Sequence, residues 1–145
     1  MHEIETSLYL GSLQDADNER LIRKTGIKNI VQVLDNPTYN KRFKGIKYYY
    51  VRLRDEEDEN LIDELPDAIY FINRQILKGE KVLVHCVAGV SRSPAIVIAY
   101  LMAKHNIFYE EAYGFVKSKR DFIQPNLGFE KQLIEYGYQR LEEYL

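Results

Sequence analysis

Five residues separate Cys86 from Arg92 in the stretch His85-Cys86-Val87-Ala88-Gly89-Val90-Ser91-Arg92-Ser93-Pro94, which puts a thiol, a guanidinium and a glycine around one small turn. The apolar run Lys81 to His85 reads as a strand ending at the cysteine, and an apolar helix opens near Arg92 with Pro94 in its first turn. Backbone N–H groups of such a loop, together with the helix N-terminus, point at whatever anion enters. The same field acts on the sulfur. A free thiol titrates near about 8.5, and a helix N-terminus beside an arginine lowers that to roughly 3.5–7.5, so Cys86 is expected to be a thiolate at neutral pH. The arrangement suits attack on a phosphorus atom whose oxygens the donors hold. A lone cysteine after an apolar strand is usually a small buried hydrophobe. A packed core, however, has no reason to follow it with five residues, an arginine, a hydroxyl and a helix-starting proline. Gly89, in mid-turn, can take backbone angles that a side chain would forbid.

Displacing an alcohol or phenol from phosphate calls for a proton donor on the side away from the thiolate. Asp55 follows the strand-like run ending at Leu53, and ligands in α/β sheets bind beyond the carboxyl ends of strands. It opens the acidic run Asp55-Glu56-Glu57-Asp58-Glu59, which otherwise reads as a solvated loop, and Asp58 is the alternative acid.

The run HCVAGVSRSPAIVIAYLM resembles the signature of the cysteine-dependent protein phosphatases, and its Ser-Arg-Ser ending resembles the dual-specificity branch. Leu8-Tyr9-Leu10-Gly11-Ser12, Asp55 with Asn60-Leu61 behind it, and Pro125-Asn126 with Gly128-Phe129 and Gln132-Leu133 are similar to that family in order and spacing. Nearly the whole chain is covered. The resemblance implies a small atypical dual-specificity phosphatase in which Cys86 is the nucleophile, Arg92 grips the phosphoryl group, Asp55 is the general acid and Ser93 donates to the departing sulfur. Val87, Ala88, Gly89, Val90, Ser91 and Arg92 would line the phosphate loop, with His85 and Asn126 supporting it. It further implies a phosphocysteine intermediate and phosphoprotein substrates, the phosphate borne on tyrosine, serine or threonine in a shallow pocket. Relatives acting on phosphoinositides tend to place lysines in the loop, where Val87, Ala88, Val90 and Ser91 carry no charge. A phosphoinositide or RNA 5′-phosphate phosphatase is thus an alternative, as is a non-catalytic phosphosite-binding pseudophosphatase, against which intact Cys86, Arg92 and Asp55 argue. Arsenate reductases and low-molecular-weight phosphatases share the Cys-to-Arg spacing but carry it near the N-terminus, whereas here it falls past the middle.

The bulk properties set the frame. A length of 145 residues suits a single domain spanning 1–145, and 46% hydrophobic with 29% charged residues is an ordinary globular composition. A net charge of -2 gives no basic field for nucleic acid or an anionic membrane, and no apolar run approaches membrane-spanning length. One cysteine excludes a disulfide within the chain and fits a reducing compartment, the cytoplasm or nucleus. No metal or cofactor is expected, because Arg92 and the loop amides already supply positive field; His2 and His105 have no ligand spacing and read as structural or incidental. A monomer is expected.

Positioning this chemistry requires an α/β fold. The strand-like runs Ser7 to Leu10, Ile27 to Leu34, Ile46 to Leu53 and Lys81 to His85 alternate with helical runs. The helices are Asp15 to Lys24, Leu61 to Leu77, Ser93 to Lys104, Tyr109 to Lys119 and Leu127 to Tyr144. Together they predict a mostly parallel twisted sheet of four to five strands flanked by helices on both faces. Gly26 and Gly79 follow helical runs as C-cap residues do, and Asn126 precedes the last helix as an N-cap. Ala95 to Met102 is apolar almost all round, so that helix is expected to be buried and to hold the loop before it rigidly. Arg120 closes the cationic helix end Lys117-Ser118-Lys119-Arg120, where it would complement the helix dipole.

Overall fold

A computed structural model describes residues 1–36 and 41–144. Five strands form one sheet in the order β1-β2-β5-β3-β4: β1 (His2–Glu5), β2 (Leu8–Gly11), β3 (Ile27–Leu34), β4 (Lys47–Arg52) and β5 (Lys81–His85). All pairings are parallel except the edge hairpin β1–β2. The central strand β5 buries Val82, Leu83 and Val84, as a strand covered on both faces must, and ends in the buried His85. Its last residue, His85, lies in register with Gly11 on one side and Gln32 on the other. The carboxyl ends of β2, β5 and β3 therefore share one edge of the sheet, and Ser12, Cys86 and Asp35 emerge there.

Side-chain alternation divides the core unequally. Val82 and Val84 face a large cluster shared with α3 (Leu65–Leu77), α4 (Arg92–His105), α5 (Tyr109–Lys119) and α6 (Leu127–Tyr144), while Leu83 faces a small one with Ala16 and Ile22. That smaller layer belongs to α1 (Leu13–Ala16) and α2 (Glu19–Thr25). Every residue of α4 from Ser93 to Met102 is buried, so the helix behind the loop that follows β5 is clamped on all sides, as its uniform apolarity predicts.

Three expectations need correction. The run Asp15 to Lys24 is two helices, because Asn18 has extended backbone and caps α2 by accepting from Leu21 N–H (3.1 Å). The helix expected from Leu61 begins as a 3-10 turn (Ile62–Glu64), and α3 proper starts at Leu65 with Pro66 in its first turn, where the missing N–H costs nothing. β1 was not anticipated, since only Ile4 of its four residues is fully buried and no alternation marks it. The remaining limits agree closely; β3, β5, α5 and α6 coincide with the expected spans. Among the described residues no helix is long and apolar enough to cross a membrane.

Candidate active site

The loop after β5 is shaped from outside. Each carbonyl from residue 87 to 91 accepts a hydrogen bond: Val87 from Leu13 N–H (2.9 Å), Ala88 and Gly89 from the Arg120 guanidinium (3.2 and 3.0 Å), Val90 from Gln124 N–H (2.6 Å), and Ser91 from Ala95 N–H (3.1 Å). In a planar trans peptide the C=O and the following N–H point in opposite directions. Turning those carbonyls outward turns the N–H groups of Ala88 to Arg92 inward, around the space ahead of Cys86. The N-terminus of the 14-residue helix α4 adds its dipole at the same point. Gly89 sits at φ +69°, and a Cβ there would lie 2.6 Å from the Gly11 carbonyl oxygen and collide with the Arg120 guanidinium. Only glycine fits this turn.

Cys86 is 2% exposed, and its Sγ lies 3.1 Å from Ser93 Oγ, itself fully buried in the first turn of α4. When the sulfur is a thiolate, the serine hydroxyl is the donor of this pair. His85 Nδ1–H donates to the Cys86 carbonyl (2.9 Å), which fixes the tautomer, and Nε2 has no partner among the described residues. Burial holds the imidazole below its ordinary value of 6.5 despite that bond, so His85 is neutral and acts on the loop backbone rather than as a proton carrier.

Arg92 is nearly enclosed and donates through Nη1 to the Leu53 carbonyl (3.3 Å), which aims the guanidinium along the end of β4. The same Nη1 lies 3.7 Å from Asp35 Oδ1, one residue past β3. Asp55 is gripped by two partners at one oxygen: Ser91 Oγ–H donates to Oδ1 at 2.6 Å and Asn126 Nδ2–H at 2.9 Å. Asn126 backbone N–H in turn donates to Ser91 Oγ (2.9 Å), and Asn126 Oδ1 accepts from Phe129 N–H (2.9 Å) as the cap of α6. This triangle joins the acidic loop, the phosphate loop and α6. Asp55 Oδ2 takes no part in it. Asp58, by contrast, is 78% exposed and its nearest cation is Arg54 at 4.0 Å, which places it on the solvent side of the loop.

Behind the triangle, Gln132 on α6 holds the acidic segment from its far end. Its Oε1 accepts from Leu61 N–H (2.8 Å), and its Nε2 donates to the Glu59 and Gly128 carbonyls (2.9 and 3.1 Å). Arg54 gathers Glu59 (3.1 Å) and Glu56 (3.8 Å), so much of the loop's repulsion is answered within it. Among the described residues no group of three or more His, Cys, Asp or Glu side chains could hold a metal ion.

The structure thus brings Cys86, Arg92, Ser93, Asp55 and Asn126 to one edge of the sheet. Two side chains do more than the sequence alone suggests. Ser91 also uses its hydroxyl on Asp55, and Arg120, at its cationic helix end, is 4% exposed, shapes the loop, donates to His2 Nδ1 (2.8 Å) and stacks over Phe122 (4.3 Å). Of the two readings of His2, structural or incidental, the contact favours the structural one: it supports Arg120 behind the loop, and its imidazole is held below the ordinary value by burial and by Arg120. Sequence carried only the cationic helix end as a signal for Arg120; its partners lie 31 and 32 residues away.

A thiol in a ring of inward N–H groups, at the carboxyl end of a central parallel strand and under a helix N-terminus, defines an anion-binding α/β domain with a nucleophile in its floor. The family described as dual specificity phosphatase, catalytic domain, matches residues 8–139, and the chain belongs to it. Dual specificity protein phosphatase 22 of Xenopus laevis is 38% identical over 137 residues, covering 94% of this chain and 65% of the relative. The human protein of that name is 35% identical over 144 residues, covering 99% and 77%. The crystal structure of human tyrosine phosphatase-like serine/threonine/tyrosine-interacting protein superposes with a TM-score of 0.91 at 35% identity and covers 97% of both chains. The chain spans just under two thirds of the Xenopus protein's length.

Proposed function

We propose that the protein is a cysteine-dependent dual-specificity protein phosphatase, hydrolysing phosphotyrosine and phosphoserine or phosphothreonine through a phosphocysteine. The observation that carries this reading is the convergence of Cys86 Sγ, Ser93 Oγ and the Ser91–Asp55–Asn126 triangle on one loop whose carbonyls all point away.

Phosphate enters the ring of N–H groups, and the Arg92 guanidinium forks onto two of its oxygens. The Cys86 thiolate attacks phosphorus in line, the P–O bond to the substrate breaks, and Asp55 gives its proton to the departing oxygen. The resulting carboxylate then takes a proton from water as that water attacks the phosphocysteine, the S–P bond breaks, and inorganic phosphate leaves. Ser93 donates to the sulfur as it regains its charge, which lowers the barrier of the second step. Each charge that develops meets a group already in place.

Uncharged Val87, Ala88 and Val90 in the loop favour a phosphoprotein over a polyanionic phosphoinositide. A single thiol that must stay reduced points to a reducing compartment, the cytoplasm or nucleus, and a monomer suffices because one chain supplies every group named. The test is turnover of p-nitrophenyl phosphate and of matched phosphotyrosine and phosphothreonine peptides by reduced, metal-free protein. All three should be hydrolysed, and Cys86→Ser should abolish the activity. Peptide binding without hydrolysis would instead identify a phosphosite-binding protein.

A further inference from the structure

The geometry points to Asp35 as a specificity-determining residue that selects phosphosites by the charge beside them, favouring a phosphoresidue next to lysine or arginine over one next to acidic residues. This inference rests on the phosphatase reading and names the substrate class of the same site.

Asp35 follows the last residue of β3, at the edge where the loop opens. Its backbone is pinned there: its carbonyl accepts from Tyr50 Oη–H (3.0 Å), and Leu34 O one residue earlier accepts from Leu53 N–H (3.0 Å). The carboxylate is 63% exposed, yet it stands 3.7 Å from Nη1 of the guanidinium whose other N–H groups are the phosphoryl fork of the proposed reaction. Arg92 does not need it for aim, because Leu53 O already supplies that. A phosphoryl group on the Arg92 fork therefore sits well inside the roughly 10 Å over which exposed charges act at moderate salt. Two anions then share one cation, and a positive side chain beside the phosphoresidue relieves the excess.

The acidic loop adds charge of the same sign as Asp35, while Arg52 at the end of β4 and Arg42 on Gln32 carry the opposite one. The acidic loop sets Glu56, Asp58 and Glu59 against Arg54 alone. Arg52 ends β4 next to Leu34, but it makes no ion pair with Asp35 among the described residues. Val87 in the loop, Phe122 against Arg120 and Leu127 after Asn126 are exposed and apolar, so they add no opposing charge.

The experiment compares kcat/KM for two phosphotyrosine peptides of one length, one with lysines at the flanking positions and one with glutamates, for wild type, Asp35→Asn, Asp35→Lys and Asp35→Glu. Taking the ratio within each variant cancels effects on the shared chemical step. Wild type should favour the basic peptide by about fivefold at low salt, with the ratio falling as salt rises. Asp35→Asn should bring the ratio near one, Asp35→Lys should invert it, and Asp35→Glu should restore most of it. A ratio equal in wild type and Asp35→Asn overturns the inference, as does a wild-type preference that salt does not reduce. Failure of wild type to turn over p-nitrophenyl phosphate would overturn the underlying phosphatase reading instead; the same peptide ratio would then be read as binding constants, with the same outcomes deciding.

Discussion

At the scale of single residues, the site works by holding one carboxylate oxygen and leaving the other free. Ser91 and Asn126 both engage Asp55 Oδ1, so Oδ2 is the oxygen available to carry a proton to the leaving group. Replacing Asp55 by Ala should lower kcat on an alkyl phosphopeptide by about 10²–10⁴ while leaving the Cys86 nucleophile and its phosphate loop intact. An aryl phosphate, with its better leaving group, should lose less, and the comparison of the two substrates checks the role. Ser91→Ala should leave Asp55 in place but loosely aimed. A loss of about tenfold in kcat with little change in KM is expected from steady-state kinetics, since positioning errors of an ångström are costly. The nucleophile and its arginine were legible in sequence because chemistry demands those residue types at that spacing within one loop. The work of Ser91 was not, because its partners at positions 55 and 126 come together only in the folded chain.

At the scale of elements, the acidic loop is aimed by α6 rather than by its own strand. Gly128, in the first turn of α6, packs so closely that a Cβ there would lie 2.6 Å from the Glu57 carbonyl carbon and collide with its oxygen. Gly128→Ala should therefore push the acidic loop away from the cap of α6 and lower kcat more than it lowers Tm; activity and thermal unfolding on the same samples test this. Helix α4 shows the opposite balance. Its buried Ile98 lies in the main core, and Ile98→Ala should cost about 2–5 kcal/mol in denaturant unfolding. Elements with uniform or strongly periodic apolarity, α4 and α6 among them, could be placed from sequence. The split of the first helical run could not, because Asn18 interrupts it through a local side-chain cap that competes with helix continuation and leaves no mark on hydrophobicity. Nor could β1, whose sheet position depends on pairing with β2 rather than on its own pattern.

At the scale of the whole molecule, two groups tie stability to pH in the same direction. Burial holds His85 below 6.5, so the unfolded chain takes up a proton there first; the stability is present above about that pH and is lost as pH falls toward the folded value. Glu5, on β1, is 2.9 Å from Lys104 Nζ and 2.8 Å from His105 Nε2 at the end of α4. Burial alone would raise its carboxyl, but those hydrogen bonds and charges outweigh it and hold the group below 4.5, so its contribution is present above that pH and lost as pH falls through the folded value. Thermal unfolding should therefore show Tm declining from about pH 7 downward. Glu5→Gln should lower Tm at neutral pH by roughly 2–4 °C, with the gap to wild type closing in strong acid. Equal gaps at every pH would show that packing, not charge, sets the effect.

The triangle of Ser91, Asp55 and Asn126 also sets an order of events in time. As the chain leaves the ribosome, strand β5 and helix α4 are complete once residue 105 has emerged, so the nucleophile loop can close on its helix. Asn126 and the helix it caps arrive later and from the other side. Until they do, Asp55 lacks one of its two anchors, and Arg120 and Gln124 must also have emerged before the loop carbonyls find their partners. A nascent chain that already holds its thiol therefore still lacks one anchor of Asp55 until α6 has formed.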